Sequence, residues 1–67
     1  MRTKQQLEHD YKCHLEQLRE CFENDDRFGV SYNSAMLGGI GKLLGIERTK
    51  TEQLIESVRG ENKRYWR

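Results

Sequence analysis

The sequence predicts a small all-α domain made of three helices. Charged residues make up 34% of its 67 residues and proline is absent, a composition that favours helices over strands joined by tight turns. Apolar residues recur at helical spacing in three segments, at about 5–23, 35–44 and 49–59. We therefore expect a single domain over residues 1–67, with a long amphipathic N-terminal helix, a helical hairpin and a basic-aromatic tail at 61–67.

The apolar content is low for a chain of this length. Leu, Ile, Val and Phe together number 14, about a fifth of the residues, and so short a chain buries a small fraction of its surface. The core therefore needs a supplement, which we expect to be a second copy of the chain, a larger partner or nucleic acid.

The first predicted helix has one continuous apolar stripe. Five large side chains fall within about 80° of one another on a helical wheel, and they are Leu7, Tyr11, Leu15, Leu18 and Phe22. Charged residues occupy the opposite face. Because the stripe also fits approximate heptads, we expect it to pair with its own copy in a homodimer.

The middle of the chain predicts a loop followed by a short helix. Residues 24–26, Asn-Asp-Asp, would end the first helix. Large and small residues alternate over 28–32, which predicts an extended loop whose large side chains plug the core: Phe28, Val30 and Tyr32. The pair at 33–34, Asn-Ser, is a favourable N-cap for a second helix over 35–44. Its apolar face would contain Met36, Leu37, Ile40, Leu43 and Leu44.

Gly45 separates the second predicted helix from the third. It follows an apolar residue at the helix end, where glycine can adopt a positive φ without a Cβ clash. Gly41, one turn earlier, is small enough for the closest approach of two steeply crossed helices. Thr49 and Glu52 have capping-box spacing and predict the start of the third helix, which Gly60 would cap at its C-terminal end.

The segment GKLLGIERTKTEQLIE, residues 41–56, resembles the helix-turn-helix of small excisionase-like and phage-repressor-like DNA-binding proteins. The similarity lies in Lys-Leu-Leu-Gly-Ile at 42–46, Arg-Thr at 48–49 and Leu-Ile-Glu at 54–56, about a quarter of the chain. It implies a DNA-binding regulatory protein whose third helix enters the major groove. Thr51 stands where the family usually has an apolar β-branched residue, and its hydroxyl needs a partner.

Under the DNA-binding hypothesis the partner is double-stranded DNA. Arg pairs with guanine and Gln with adenine in the major groove, so the residues expected to reach base edges are Arg48, Thr49, Lys50 and Gln53. Phosphates, or a protein partner, would be bound by the cations Lys42, Arg59, Lys63, Arg64 and Arg67. Two tail aromatics would stack on bases or anchor an interface, Tyr65 and Trp66.

Charge is unevenly distributed along the chain. Residues 1–26 contain four Lys or Arg and seven Asp or Glu, a net −3, whereas residues 27–67 contain eight and four, a net +4. The basic half includes the hairpin, as expected of a surface that faces an anion. Glu52 and Glu56 oppose this expectation, because both would lie on the outer face of the third helix.

The alternative function is that of a small phage or mobile-element accessory protein that binds and modulates, by inhibition, a larger host protein. The thin core, the acidic first helix and the aromatic-basic tail fit this hypothesis. For either function we expect a cytoplasmic protein, in the host cytosol if phage-encoded, because the sequence shows neither an apolar signal region nor a membrane-spanning run.

No arrangement of residues predicts an enzyme, a metal site or a cofactor. One straight helix does not bring together the four candidate metal ligands, which lie on different faces: His9, Cys13, His14 and Cys21. Residues 38–42, Gly-Gly-Ile-Gly-Lys, lack the following Ser or Thr and the first Gly of a phosphate-binding loop. The run GGIGKLLG also resembles membrane-active amphipathic peptides, but its single lysine favours packing in the protein interior.

Overall fold

The computed structural model describes residues 2–61, which form three α-helices and no strand. Helix α1 is Lys4–Glu23, α2 is Arg27–Leu43 and α3 is Arg48–Gly60. The predicted all-α fold with a long first helix is confirmed. Residues 62–67 of the predicted tail lie outside the described residues, and with them five of the predicted contact residues: Lys63, Arg64, Tyr65, Trp66 and Arg67.

Side-chain and backbone hydrogen bonds define both ends of α1. The Thr3 hydroxyl accepts from the Gln6 N–H at 3.1 Å and the Gln6 side chain accepts from the Thr3 N–H at 2.9 Å, which is a capping box. At the other end Asp25 takes the left-handed conformation, with φ of 55°. The Asp26 N–H then donates to the Cys21 carbonyl at 2.8 Å, as in a Schellman motif.

Helix α2 begins at Arg27 rather than at the predicted residue 35. Asp26 is its N-cap, and the Asp26 carboxylate accepts from the Gly29 N–H at 3.0 Å. Because Asp26 both closes α1 and caps α2, the two helices are joined by a tight turn and run as antiparallel neighbours. The predicted extended loop over residues 28–32 is therefore wrong, since this segment forms the first turns of α2.

The earlier helix start changes where the large residues of this segment lie. Phe28 and Tyr32 do not plug the core, because their exposed fractions are 91% and 60%. Val30 lies on the inner side of α2 and packs against the core as expected.

Asn33 is a buried link between α1 and α2 and not the predicted N-cap of a helix. Its Nδ2 donates to the Gly29 carbonyl at 2.9 Å, which leaves its Oδ1 to accept from His14 Nδ1–H at 2.8 Å. Burying an amide is tolerated when its donor and acceptor are both paired. Asn33 therefore sets the register between the two helices.

The core lies where the three helices meet. Its buried apolar side chains are Tyr11, Leu18 and Phe22 from α1, Leu37 and Ile40 from α2, and Val58 from α3. Leu7 and Leu15 pack against this cluster. The α1 stripe predicted to form a dimer seam is thus occupied by the chain's own helices and is not available for a second copy. The homodimer itself stays a prediction.

The predicted turn at Gly45 is confirmed. Gly45 has φ of +78°, the conformation that glycine adopts without a Cβ penalty. The Ile46 N–H donates to the Gly41 carbonyl at 2.8 Å and the Gly45 N–H donates to the Lys42 carbonyl at 3.1 Å. These two bonds form a second Schellman motif, which ends α2 and turns the chain towards α3.

The predicted close approach of two helices at Gly41 is also confirmed. A Cβ atom at Gly41 would lie 2.9 Å from the Thr51 hydroxyl oxygen and 3.3 Å from Cε1 of Tyr11. The Thr51 hydroxyl has the partner that its burial requires, because it is 2.9 Å from the Tyr11 hydroxyl. The absence of a side chain at Gly41 thus allows α3 to reach this hydrogen bond on α1.

The ends of α3 differ from the prediction. The helix begins at Arg48 after the N-cap Glu47, which makes no side-chain capping bond. The predicted capping box of Thr49 and Glu52 is wrong, because Thr49 already lies inside the first turn. Gly60 is the last helical residue and not the cap beyond the helix.

Candidate binding surfaces

The predicted base-contacting residues all lie exposed on the first turns of α3: Arg48, Thr49, Lys50 and Gln53. The buried side of α3 contains Thr51 and Val58. Thr49 and Gln53 are one turn apart on the opposite side, which is open to solvent. The four side chains are therefore accessible to a partner, and their contact with DNA stays a prediction.

The arginines of α3 are paired with glutamates of the same helix. Arg48 Nε lies 3.2 Å from Glu52 Oε1, and Arg59 Nη1 lies 2.6 Å from Glu56 Oε1. Exposed pairs of this kind contribute only about 0–1 kcal/mol to stability, so a phosphate could displace either one. The two carboxylates would nevertheless remain beside the polyanion and repel it.

Helix α3 with its flanking glutamates is not basic. Between Glu47 and Glu61 there are three Lys or Arg and four Glu, a net −1. Over 27–61 the counts are five and four, a net +1, so +3 of the +4 in this half comes from residues 62–67. The basic excess therefore belongs to the tail beyond the described residues and not to α3.

The two remaining described cation candidates lie apart on the fold. Lys42, in the last turn of α2, borders a groove between α2 and α3, where Arg48 and Glu52 also lie. Arg59 lies in the last turn of α3 and is paired with Glu56. The fold therefore brings Lys42 and Arg48 to one groove and leaves Arg59 at the other end of α3.

The most unusual surface of the fold is the outward face of α2, which we define as Phe28, Tyr32, Ala35, Gly39 and Leu43. Their spacing of three or four residues puts them on one stripe along the helix. All five are exposed, with Leu43 at 72%, although Leu43 was expected on the apolar inner side of this helix. No charged residue occurs between Phe28 and Gly41.

Small residues lie along the same helix beside this stripe. Ser34 and Gly38 join Ala35 and Gly39 in lining the groove between α2 and α3, which has a volume of about 800 Å³. A Cβ atom at Gly38 or Gly39 would meet nothing within 4 Å. Since glycine costs a helix about 1 kcal/mol relative to alanine, packing within the described residues does not account for these two glycines.

Tyr32 is held in place from the side of α1. Its ring meets the His14 ring edge-on, with centroids 6.2 Å apart and an interplanar angle of 62°. His14 is in turn fixed by its bond to buried Asn33. Tyr32 is therefore in contact with α1 through a histidine that is itself bonded to the buried Asn33.

The cysteines and histidines of α1 show no metal-binding arrangement. Within residues 2–61 there is no group of three or more His, Cys, Asp or Glu able to hold a metal ion. Cys13 Sγ is 3.4 Å from His9 Nε2, whereas Cys21 lies near Asp26 and Asn33. Burial, and then the Asp26 charge, raise the pKa of the Cys21 thiol, which therefore stays protonated at neutral pH.

The helices of the described chain also do not fit a membrane span. Over residues 2–61, none of them combines the length and the apolar character that crossing a bilayer requires.

Comparisons with protein-family models, curated proteins and solved structures find no match to this chain. The resemblance to excisionase-like and repressor-like proteins thus remains a prediction from the sequence. The fold has two candidate binding surfaces, the outward face of α2 and the exposed side of α3.

Proposed function

We propose that this chain is a small helical interaction protein that binds another polypeptide through the outward face of α2. The observation that supports this most strongly is the uncharged stripe from Phe28 to Leu43, whose large residues are 60–91% exposed. Single apolar residues are common on protein surfaces, whereas an apolar stripe along a whole helix is typical of an interface.

Burial of this face would supply the binding energy. Removing a Phe or Leu side chain from water contributes about 1.5–3 kcal/mol, and aromatic residues commonly dominate interfaces. The opposite side of α2 is anchored in the core by Leu37 and Ile40. Because the helix is already ordered, binding needs little further loss of conformational entropy.

This mode of binding fits the accessory-protein hypothesis. An amphipathic helix typically binds by laying its apolar face into a groove of a larger protein. If that groove normally accepts another partner of the larger protein, α2 would inhibit by occupying it. The acidic N-terminal segment, with a net −3 over residues 1–26, would then influence which partners approach.

DNA binding is the second candidate function, and one observation favours it. The Gly45 turn leads into α3, whose first two turns hold Arg48, Lys50 and Gln53, all three exposed. It has less support than protein binding, because the segment 47–61 has a net charge of −1. In addition, Arg48 is paired with a glutamate of the same helix.

Site-specific photocrosslinking would identify the binding surface in the cells that produce the protein. A benzophenone amino acid at Phe28 or at Leu43 is expected to capture a second polypeptide, because both positions lie on the outward face of α2. The same residue at Gln53, on the exposed side of α3, and at Gln17, an exposed position of α1, provides matched controls. Crosslinks to nucleic acid from Gln53, with none from the two α2 positions, would contradict the proposal and support DNA binding.

A further inference from the structure

We infer that the polypeptide covering the outward face of α2 is a second copy of this chain, packed antiparallel to the first. This inference rests on the proposed binding through α2 and names a second copy of the chain, in place of a groove on a larger protein, as the partner. The two α2 helices would be related by a two-fold axis near Ala35, so that the same face serves both copies.

The outward face of α2 is complementary to itself in size. When Phe28 lies opposite Leu43 of the second copy, Tyr32 lies opposite Gly39 of the second copy. Large residues then face small ones twice by symmetry, an alternation that fills a helix–helix contact without voids. Tyr32 has 60% of its surface exposed to fill such a space, and the position of a Cβ at Gly39 is open.

A parallel arrangement of the two helices lacks this complementarity. Each residue would then face its own equivalent, with Tyr32 against Tyr32 and Gly39 against Gly39 of the second copy. The tyrosines would hold the helices apart while the glycines left an empty space between them, and unfilled space is unfavourable. The pattern of side-chain sizes therefore favours the antiparallel pair.

Charge at the ends of α2 favours the same orientation. Residues 25–27, Asp-Asp-Arg, give the start of α2 a net charge of −1, with Arg27 3.8 Å from Asp25, and Lys42 gives its last turn a charge of +1. Antiparallel packing puts Lys42 beside the net negative end of the second copy, whereas parallel packing puts ends of like charge together. No charged residue has to be buried between these ends, because residues 28–41 contain none.

The length of the stripe predicts a weak dimer. The rise from Phe28 to Leu43 is about 22 Å, the length of a single helix contact. Stable interfaces bury about 800 Å² on each partner. We expect the area buried on one helix face of this length to be at the low end for such interfaces. We expect a dissociation constant on the order of tens of micromolar.

Cysteine crosslinking tests the register directly. In a Cys13→Ser and Cys21→Ser background, a mixture of the Phe28→Cys and Leu43→Cys chains is expected to crosslink with a short bismaleimide. Either chain alone should give much less product, because equivalent residues lie about 22 Å apart in the antiparallel pair. Efficient crosslinking of the Phe28→Cys chain to itself would instead show parallel packing and overturn the inference.

Sedimentation equilibrium tests the size complementarity. Gly39→Leu fills the space that Tyr32 of the second copy would occupy, so it should raise the dissociation constant about tenfold or more. Gly60→Leu is the matched control, because a Cβ there also meets nothing within 4 Å and the residue lies away from the outward face. Circular dichroism would confirm that both variants keep the helical fold.

The outcomes separate this inference from the proposed function. If the wild-type chain remains monomeric up to about 1 mM, well above the expected dissociation constant, the inference that a second copy is the partner is overturned. If photocrosslinking from Phe28 then captures a different protein, the proposed function stands. If neither Phe28 nor Leu43 captures any polypeptide, both fail.

Discussion

Replacing Leu37 with alanine is expected to leave the domain largely unfolded at 25 °C. Leu37 is fully buried, with an exposed fraction of 0%, and truncation of a buried leucine costs about 2–5 kcal/mol. A single core in a chain of this length provides roughly 3–5 kcal/mol. The mean residue ellipticity at 222 nm, followed against urea, would measure the loss.

Leu43→Ala is the matched control for this prediction. It makes the same chemical change on the same helix, but Leu43 is 72% exposed. At protein concentrations well below the dimer dissociation constant we expect a change within about 0.5 kcal/mol. Equal losses of stability in the two variants would contradict the assignment of the inner and outer sides of α2.

Adding one methyl group at Gly41 is expected to destabilise the domain, although the same change at Gly39 should stabilise it. The Cβ of Gly41→Ala would contact the Thr51 hydroxyl at 2.9 Å, and Thr51 is only 3% exposed and bonded to Tyr11. Overpacking of this kind costs about 1–3 kcal/mol. Gly39→Ala meets nothing within 4 Å and, at protein concentrations well below the dimer dissociation constant, should gain about 0.5–1 kcal/mol of helix propensity.

The difference between the two alanine variants is the quantity to measure. Urea unfolding of each variant should place Gly39→Ala about 2 kcal/mol above Gly41→Ala in free energy of unfolding. If Gly41→Ala were as stabilising as Gly39→Ala, α2 and α3 would not approach as closely as the structure shows.

The parts of the fold that follow from local chemistry could be predicted from the sequence. The 3.6-residue spacing of α1 and the positive φ of Gly45 depend on residues close together in the chain. The close approach at Gly41 also followed from residue size at the hairpin. The sequence indicates that the Thr51 hydroxyl needs a hydrogen-bond partner. That partner, Tyr11, is 40 residues away in the chain, so no local pattern could identify it.

The start of α2 was missed because residues 28–32 fit two periodicities. Alternation of large and small side chains predicts a strand-like segment, while Phe28 and Tyr32 at four-residue spacing also fit one side of a helix. Asp26, a favourable N-cap three residues before Gly29, was the signal that could have decided between them. Asparagine favours N-cap positions, but Asn33 is buried and its side chain is hydrogen-bonded to His14.

The two candidate surfaces were predictable to different extents. The helix-turn-helix resemblance supplies the base-contacting candidates of α3, which are all exposed, and the pairing of Arg48 with Glu52 follows from i, i+4 spacing. Periodicity does not tell whether an apolar stripe packs within its own chain or against another. The α1 stripe proved to be internal and the outward face of α2 external, a distinction that requires the packed structure.

The most direct test of this account is a solution NMR measurement of residues 27–43, because the proposed function depends on Phe28 and Tyr32 lying outside the core. We predict helical Cα chemical shifts from Arg27 through Leu43, with no contacts between the Phe28 ring and core residues such as Phe22. Extended shifts over 28–32, with a helix starting at residue 35 and the Phe28 ring against Phe22, would contradict it.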